Sequence, residues 1–250
     1  MIKTQMQDSP LDDIQIGFVT SEWAKSQNLK TYYKKSIDST NTWAKSEAFS
    51  EESFNENLMI YLSDQQTAGR GRGQNTWSNA KMGSQLFSTW SFLAEEFPQA
   101  SLTARIGLGL FRAATSTWPF LNFSLKSPND LFLNDKKVAG LLVETIQQGN
   151  DIRILIGLGL NVFSHPKEIL HSTSILEHLP SALPFLAEDW MTFLERFLYE
   201  LSLSIQMSAE ELDTTTKAAL LYALNLNPNV KEKFTFLNND GEPHAPNLHP

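Results

Sequence analysis

The sequence predicts an α/β (α+β) protein built on a mixed, largely antiparallel sheet backed by helices. Three observations predict it. Residues 120–162 hold four apolar runs separated by short polar turns, the pattern of an antiparallel meander. Trp190, Leu194, Phe197, Leu198 and Leu201 fall at helical spacing and form one apolar face suited to packing on a sheet. The glycine-rich stretch between residues 63 and 77 has neither the P-loop nor the dinucleotide spacing, which argues against a doubly wound nucleotide fold.

The elements follow in order. Residues 1–30 are weakly patterned and suit an arm with a short helix at 21–30. Tyr32 and Tyr33 begin a short strand, and Asp38 or Ser39 caps a helix over 40–49. Leu58-Met59-Ile60-Tyr61-Leu62 is a strand that delivers the glycine-rich loop, and residues 85–92 alternate as a second strand. A helix is expected over 101–116, although Gly107 and Gly109 each cost about 1 kcal/mol there. Strands at 120–125, 131–133, 137–145 and 152–162 follow, with turns at 134–136 and 147–150. Beyond Pro166 the expectation is a short helix at 172–179, the helix around Trp190, another at 215–226 and a last strand within 231–237. The Asn-, Pro- and Gly-rich residues 238–250 are expected to be poorly ordered.

Composition narrows the function. The 250-residue chain is 41% hydrophobic, enough for one large domain with a sizeable core. It has no cysteine, which excludes disulfides, thiolate catalysis and cysteine-ligated metals. A net charge of -8 argues against non-specific nucleic-acid binding. The opening residues lack the layout of a signal peptide, and no apolar run approaches the length of a membrane span. A cytoplasmic protein is expected.

Against that acidic background, two of the chain's six arginines sit in Gly69-Arg70-Gly71-Arg72-Gly73. Glycine lets backbone approach a ligand closely, and arginine offers a planar fork of donors to phosphate or carboxylate. Trp77 beyond the loop is either a purine stack or a core aromatic, and Gln66 before it offers an amide to a ligand or to its own loop. Two more polar clusters stand at strand ends. One runs from Lys126 through Asn129 and Asp130 to Lys137, and the other is Gly157-Leu158-Gly159-Leu160-Asn161. The three clusters hold arginine, lysine, glycine and amide but no nucleophile-and-base pair. Such a set suits positioning and charge stabilisation, as when a bound carboxylate attacks a nucleoside triphosphate. Lys137 is the sharpest candidate, a flexible point charge able to meet both carboxylate and α-phosphate, while Lys136 takes the opposite strand face.

In these motifs the chain resembles the biotin–protein ligases. They are Asp38-Ser39-Thr40-Asn41, Gln65-Gln66-Thr67-Ala68-Gly69-Arg70-Gly71-Arg72 with Trp77, Lys126-Ser127-Pro128-Asn129-Asp130, Lys137-Val138-Ala139-Gly140-Leu141-Leu142-Val143-Glu144, and Gly157-Leu158-Gly159-Leu160-Asn161. The resemblance covers residues 34–165 and runs more loosely to 205.

It implies the class II synthetase-like fold of biotin and lipoate ligases. It divides the chain into an arm at 1–30, a catalytic domain at 31–206 and a reduced C-terminal segment at 207–250. It implies ATP, Mg²⁺ and biotin as reactants, and a lysine of a biotin carboxyl carrier domain as acceptor. Ser39, Thr40 and Gln66 match residues at the biotin ring system. Arg70 and Arg72, with Gly69 and Gly71, match the loop closing over the biotinyl-adenylate, and Trp77 the residue against adenine. Lys137 matches the essential lysine. Asn129 and Asp130 match the phosphate and metal end, Asn161 lies in the adenosine region, and Asn41, Lys126, Gly140, Leu142, Gly157 and Gly159 are further cofactor-binding positions.

The chain departs from the family at Ser127, where tryptophan is usual, and in its short C-terminal segment. No winged helix is read ahead of the ligase region, so no specific DNA binding is expected, and either a monomer or a homodimer is compatible. A lipoate or octanoate ligase and a non-catalytic biotin-binding relative are the alternatives. The arginine–glycine alternation and the Lys-Ser-Pro-Asn-Asp motif favour biotin.

Overall fold

The computed structural model describes residues 13–53 and 56–245. In chain order the elements are α1 (Ile16–Ser26), β1 (Lys30–Lys34), α2 (Thr40–Glu47), β2 (Leu58–Ser63), β3 (Gln85–Ala94), α3 (Leu102–Thr117), β4 (Phe123–Lys126), β5 (Asp130–Leu133), β6 (Lys136–Gln148), β7 (Asp151–Asn161), α4 (Ala187–Gln206), α5 (Thr214–Asn225), β8 (Phe236–Leu237) and β9 (Pro243–His244). They form two compact units. One takes in the chain up to Glu95 together with Val138–Met191, and the other Glu96–Lys137 and the chain from Thr192 onward.

In the first unit the strand order is β1-β2-β3-β7-β6. β1 and β2 run parallel, and the β2–β3, β3–β7 and β7–β6 pairs are antiparallel. The sheet is thus mixed and largely antiparallel with helices against it, as the sequence predicts. β3 is buried along almost its whole length, which is why its small polar residues must find partners inside, as Ser88 does by accepting from Trp90 Nε1 at 3.1 Å. Trp23 of α1 and Trp90 are fully buried with ring centroids 6.3 Å apart. Each indole hides on the order of 200 Å², about 5 kcal/mol as an upper bound. Ala44 of α2 packs with Met59, Tyr61 and Leu155.

The second unit holds the β4–β5 hairpin with α3, α5 and most of α4. Trp118 and Phe193 stack at 5.4 Å, and Phe193 and Phe197 at 5.9 Å, so the apolar face of α4 is core. Arg105 of α3 is buried and donates from Nη2 to the carbonyls of Glu210 and Glu211 at 3.3 and 3.2 Å.

Three expectations need correction. The first helix occupies Ile16–Ser26, not 21–30, because Ile16, Val19 and Trp23 form its buried stripe. Its N-terminus is satisfied from far along the chain, where Asp64 Oδ1 accepts from Phe18 N at 3.2 Å. The helix expected at 172–179 is a single 3-10 turn, Leu176–His178. The polar groups before it are committed elsewhere: Ser172 Oγ to His165 Nδ1 at 2.8 Å, and the Thr173 carbonyl to Asn161 Nδ2 at 2.8 Å. Finally, residues expected to be poorly ordered form β9. The turn before it uses Gly241 at φ +80°, and Phe236 stacks on His244 at 4.8 Å. Residues 1–12 of the expected arm and 246–250 of the expected tail lie outside the described residues.

Candidate active site

The strand β2 ends in a loop whose shape is set by backbone pairing. Thr67 N donates to Ile37 O at 2.8 Å and Ala68 N to Asp38 O at 2.9 Å, which ties the loop to the segment leading into α2. Further on, Trp77 N donates to Gly69 O at 2.9 Å and Gly71 N to Asn75 O at 2.8 Å, folding residues 69–77 back on themselves. Ser39 is the N-cap of α2. The next residue offers its backbone N–H to Gln66 Oε1 at 2.7 Å, with Thr40 Oγ1 3.2 Å from the same oxygen. With the carboxamide oxygen so committed, the donor end of Gln66 faces Gly69.

A directed chain of hydrogen bonds continues from there. Asn41 Nδ2 donates to Leu142 O at 3.3 Å and to Glu144 Oε2 at 3.1 Å. Its oxygen therefore accepts, and Thr89 Oγ1 donates to it at 2.7 Å, with Thr40 Oγ1 2.9 Å from the same hydroxyl. Arg70 closes the chain with a bidentate pair, Nη1 to Glu144 Oε2 at 3.0 Å and Nη2 to Glu144 Oε1 at 2.9 Å. Partial burial pushes the Glu144 carboxyl up. The hydrogen bonds from Arg70 and Asn41, with the charge of Arg70, outweigh burial and hold it below the ordinary carboxylate value.

The register explains the glycines. Gly159 stands opposite Gly140 and Phe87, and Gly157 opposite Leu142 and Thr89, so these positions share one face of β7, β6 and β3. A Cβ at 157 would lie 2.0 Å from Asn41 Oδ1, and one at 159 would lie 2.6 Å from the Trp77 ring. The glycines are there because an amide and an indole rest directly on the strand. Trp77, half-buried, thus covers Gly159 with one face of its ring.

Other predicted residues are placed differently. Asn161 is buried with both ends engaged, accepting from Gln85 Nε2 at 2.8 Å and donating to Thr173 O at 2.8 Å. Arg72 is exposed. In the second unit, Lys126 stands opposite Asp130 across the β4–β5 hairpin, whose turn contains a cis Ser127–Pro128 bond. Lys126 Nζ lies 5.7 Å from the Phe132 ring centroid. Lys137 Nζ is 2.7 Å from Asp130 Oδ1, with Asn129 half-buried beside it in the chain. Among the described residues no group of three or more His, Asp or Glu side chains is arranged to hold a metal. None of the described helices is long and apolar enough to cross a membrane.

Sequence reasoning missed Glu144, Thr89 and Asn79 as partners. Asn79 Oδ1 accepts from Gln66 N at 3.1 Å and its amide returns a bond to Gln66 O. It also missed Asp64, which is buried, accepts from Tyr33 Oη and meets the start of α1. Only Glu144 carried a signal, since it shares strand parity with Gly140 and Leu142.

The tied-down loop, the start of α2 and the glycines of β7 thus meet on one face of the mixed sheet. The sequence pattern of the Biotin/lipoate A/B protein ligase family matches residues 33–161, and the chain belongs to that family. The bifunctional ligase/repressor BirA of Bacillus subtilis (strain 168) is 30% identical over 119 residues, 44% of this chain and 34% of that protein. Its counterpart from Escherichia coli (strain K12) is 33% identical over 103 residues, 40% of this chain and 32% of that protein. The match thus spans about a third of these curated relatives.

Among solved structures, biotin protein ligase from Aquifex aeolicus in complex with biotin and ATP aligns with a TM-score of 0.61 at 25% identity, over 86% of this chain and 91% of that one. Biotin acetyl coenzyme A carboxylase synthetase from Helicobacter pylori aligns at 0.58 and 18% identity, over 87% and 90%, a likeness of fold.

Proposed function

We propose that the chain is an ATP-dependent biotin–protein ligase. The observation that carries this reading is the pinned donor set around Gln66, Thr40 and Asn41 beside the Gly69–Arg72 loop. The likeness to a ligase solved with biotin and ATP supports it. In the first step the biotin carboxylate oxygen attacks the α-phosphorus of ATP. The new P–O bond forms as the bond to the β-phosphate oxygen breaks, giving biotinyl-5'-AMP and pyrophosphate. In the second, the amine of a lysine on a biotin carboxyl carrier domain attacks the acyl carbon. AMP leaves, an amide forms and the amine loses a proton.

The residues have the following roles in this reading. Ser39, Thr40 and Gln66 orient the biotin head, with Thr40 holding the Gln66 oxygen so that its amide donor is fixed in advance and little ordering is left to binding. Lys137 offsets the repulsion between carboxylate and α-phosphate, a positioning and charge effect that needs no protein nucleophile. Arg72 retains the adenylate, and Trp77 presents an indole to adenine. Lys126 and Asn129 serve the phosphates. Asp130 is the carboxylate that would hold a magnesium ion brought by the triphosphate, whose charge the ion would help to offset. In the free chain Asp130 instead neutralises Lys137.

ATP–pyrophosphate exchange with the purified protein tests the proposal, run with biotin, with lipoate and without acid. Exchange is expected with biotin alone. Exchange with lipoate alone moves the assignment to lipoate attachment, and none with either acid removes acid activation altogether.

A further inference from the structure

The two arginines of the glycine loop are not equivalent. Arg70 spends both edges of its guanidinium on Glu144, at 3.0 and 2.9 Å. Arg72 makes no ion pair among the described residues and its side chain is exposed. Glu144 in turn receives three donors on two oxygens, the third being Asn41 Nδ2 at 3.1 Å. Such a carboxylate has both oxygens engaged and a lowered pKa, which makes it a poor general base. Its partners come from two separate pieces of chain, the loop after β2 and the first turn of α2, and Glu144 itself stands on a third, β6.

We propose that Glu144 is a positioning residue that latches the glycine–arginine loop to β6 through Arg70, leaving Arg72 as the loop's cation for the ligand. Four observations converge on it. The pair is bidentate, so it fixes orientation as well as distance. Glu144 is only 19% exposed although Arg70 is 42% exposed, so the anchor is the less mobile end. The same carboxylate holds Asn41, whose oxygen rests on Gly157, so loop and ligand-facing helix end share one fastening. Beyond residue 70, Trp77 is laid on Gly159, so the loop is fastened at both ends. The assignment of Arg72 to a ligand rests on the ligase reading above, whereas the latch does not.

Trypsin provides a test that needs no ligand, because the loop carries its own cleavage site after Arg72. Cleavage requires the loop to open, so its rate follows the population of the unlatched state. Glu144→Gln keeps size and loses charge. A partly exposed pair of this kind predicts about a fivefold faster cut after Arg72. Arg70→Gln should give the same increase, and the double variant no further increase, because both remove one interaction. Glu144→Asp should restore part of the protection. Cleavage of Glu144→Gln at the unaltered rate, or additive increases in the double variant, overturns the proposal. Should Glu144→Gln fail to fold, Arg70→Gln carries the test from the exposed side.

In pyrophosphate exchange the latch predicts a raised KM for biotin in Glu144→Gln with a smaller change in kcat, since the donors are displaced rather than removed. An unchanged protein that shows no exchange would sink the ligase reading and leave the cleavage result to decide the latch.

Discussion

Lys137 stands 2.7 Å from Asp130 Oδ1, its side chain a third exposed. Losing the partly exposed ion pair with Asp130 should cost the fold little, about 1 kcal/mol or less. Removing a charge that offsets repulsion between two anions in a transition state should cost far more, on the order of a hundredfold or above in rate. Lys137→Ala is therefore expected to melt within a few degrees of the unaltered protein while losing biotin-dependent pyrophosphate release. Unchanged release would remove Lys137 from the mechanism, and a collapsed melting transition would make its role structural. At this scale the types of residue in the site were legible, because glycine, arginine and amide in a tight string have few uses. Their partners were not. Glu144 lies 74 residues from Arg70 and 103 from Asn41, and no local pattern announces a pairing across that distance.

Helix α1 shows the same limit one level up. Its cap is Asp64, which stands at the exit of β2, 46 residues beyond Phe18. The sequence gives this helix no local N-cap side chain, since Gln15 makes no capping bond, and so its start was placed too late. β2, β3, β6 and β7, by contrast, were legible from their own apolar runs, and α4 from its periodicity. The helix expected at 172–179 failed because side-chain partners outbid the backbone ladder.

Asp64 has a testable consequence. Burial raises its pKa above the ordinary 3.8, against the lowering effect of the bonds from Tyr33, Phe18 and Gly17. A carboxyl with a raised folded-state pKa contributes most below the unfolded value. That contribution is lost as pH rises through the folded value. Asp64→Asn keeps an acceptor for α1 and removes the ionisation. Its stability relative to the unaltered protein should therefore improve as pH rises from below 3.8 to neutrality. Asp64→Ala, which leaves α1 uncapped and Tyr33 without its partner, should lose about 2 kcal/mol. Urea unfolding below pH 3.8 and at pH 7 measures both. A pH-independent difference between Asp64→Asn and the unaltered protein would show that Asp64 does not titrate as argued.

For the whole molecule, the question is what a net charge of -8 does to a protein proposed to gather two anions, biotin and ATP. The overall field opposes them, but at physiological salt it fades within about 8 Å, so a few local cations decide binding. Arg72, Lys126 and Lys137 are those cations in the ligase reading, and each occupies a loop or strand end. The ligands should therefore bind the folded chain and not the unfolded one, whose cations are scattered among its acids. Binding to the native state alone adds stability by mass action, about 2.7 kcal/mol at a hundredfold excess over Kd. For a chain of this size that corresponds to a rise in Tm of roughly 5–10 °C. In the ligase reading the adenylate made from both substrates joins the groups assigned to biotin and those assigned to adenosine through one ligand. Biotin with magnesium–ATP should thus raise Tm by more than the sum of the two separate shifts. Lipoate with magnesium–ATP should leave Tm at the value for ATP alone. In Lys137→Ala the separate shifts should shrink only slightly while the excess over their sum vanishes, because the variant binds but forms no adenylate. Equal excess shifts in the unaltered protein and in a variant that releases no pyrophosphate would mean that the stabilisation comes from co-binding without chemistry, and the two-step mechanism would have to be given up.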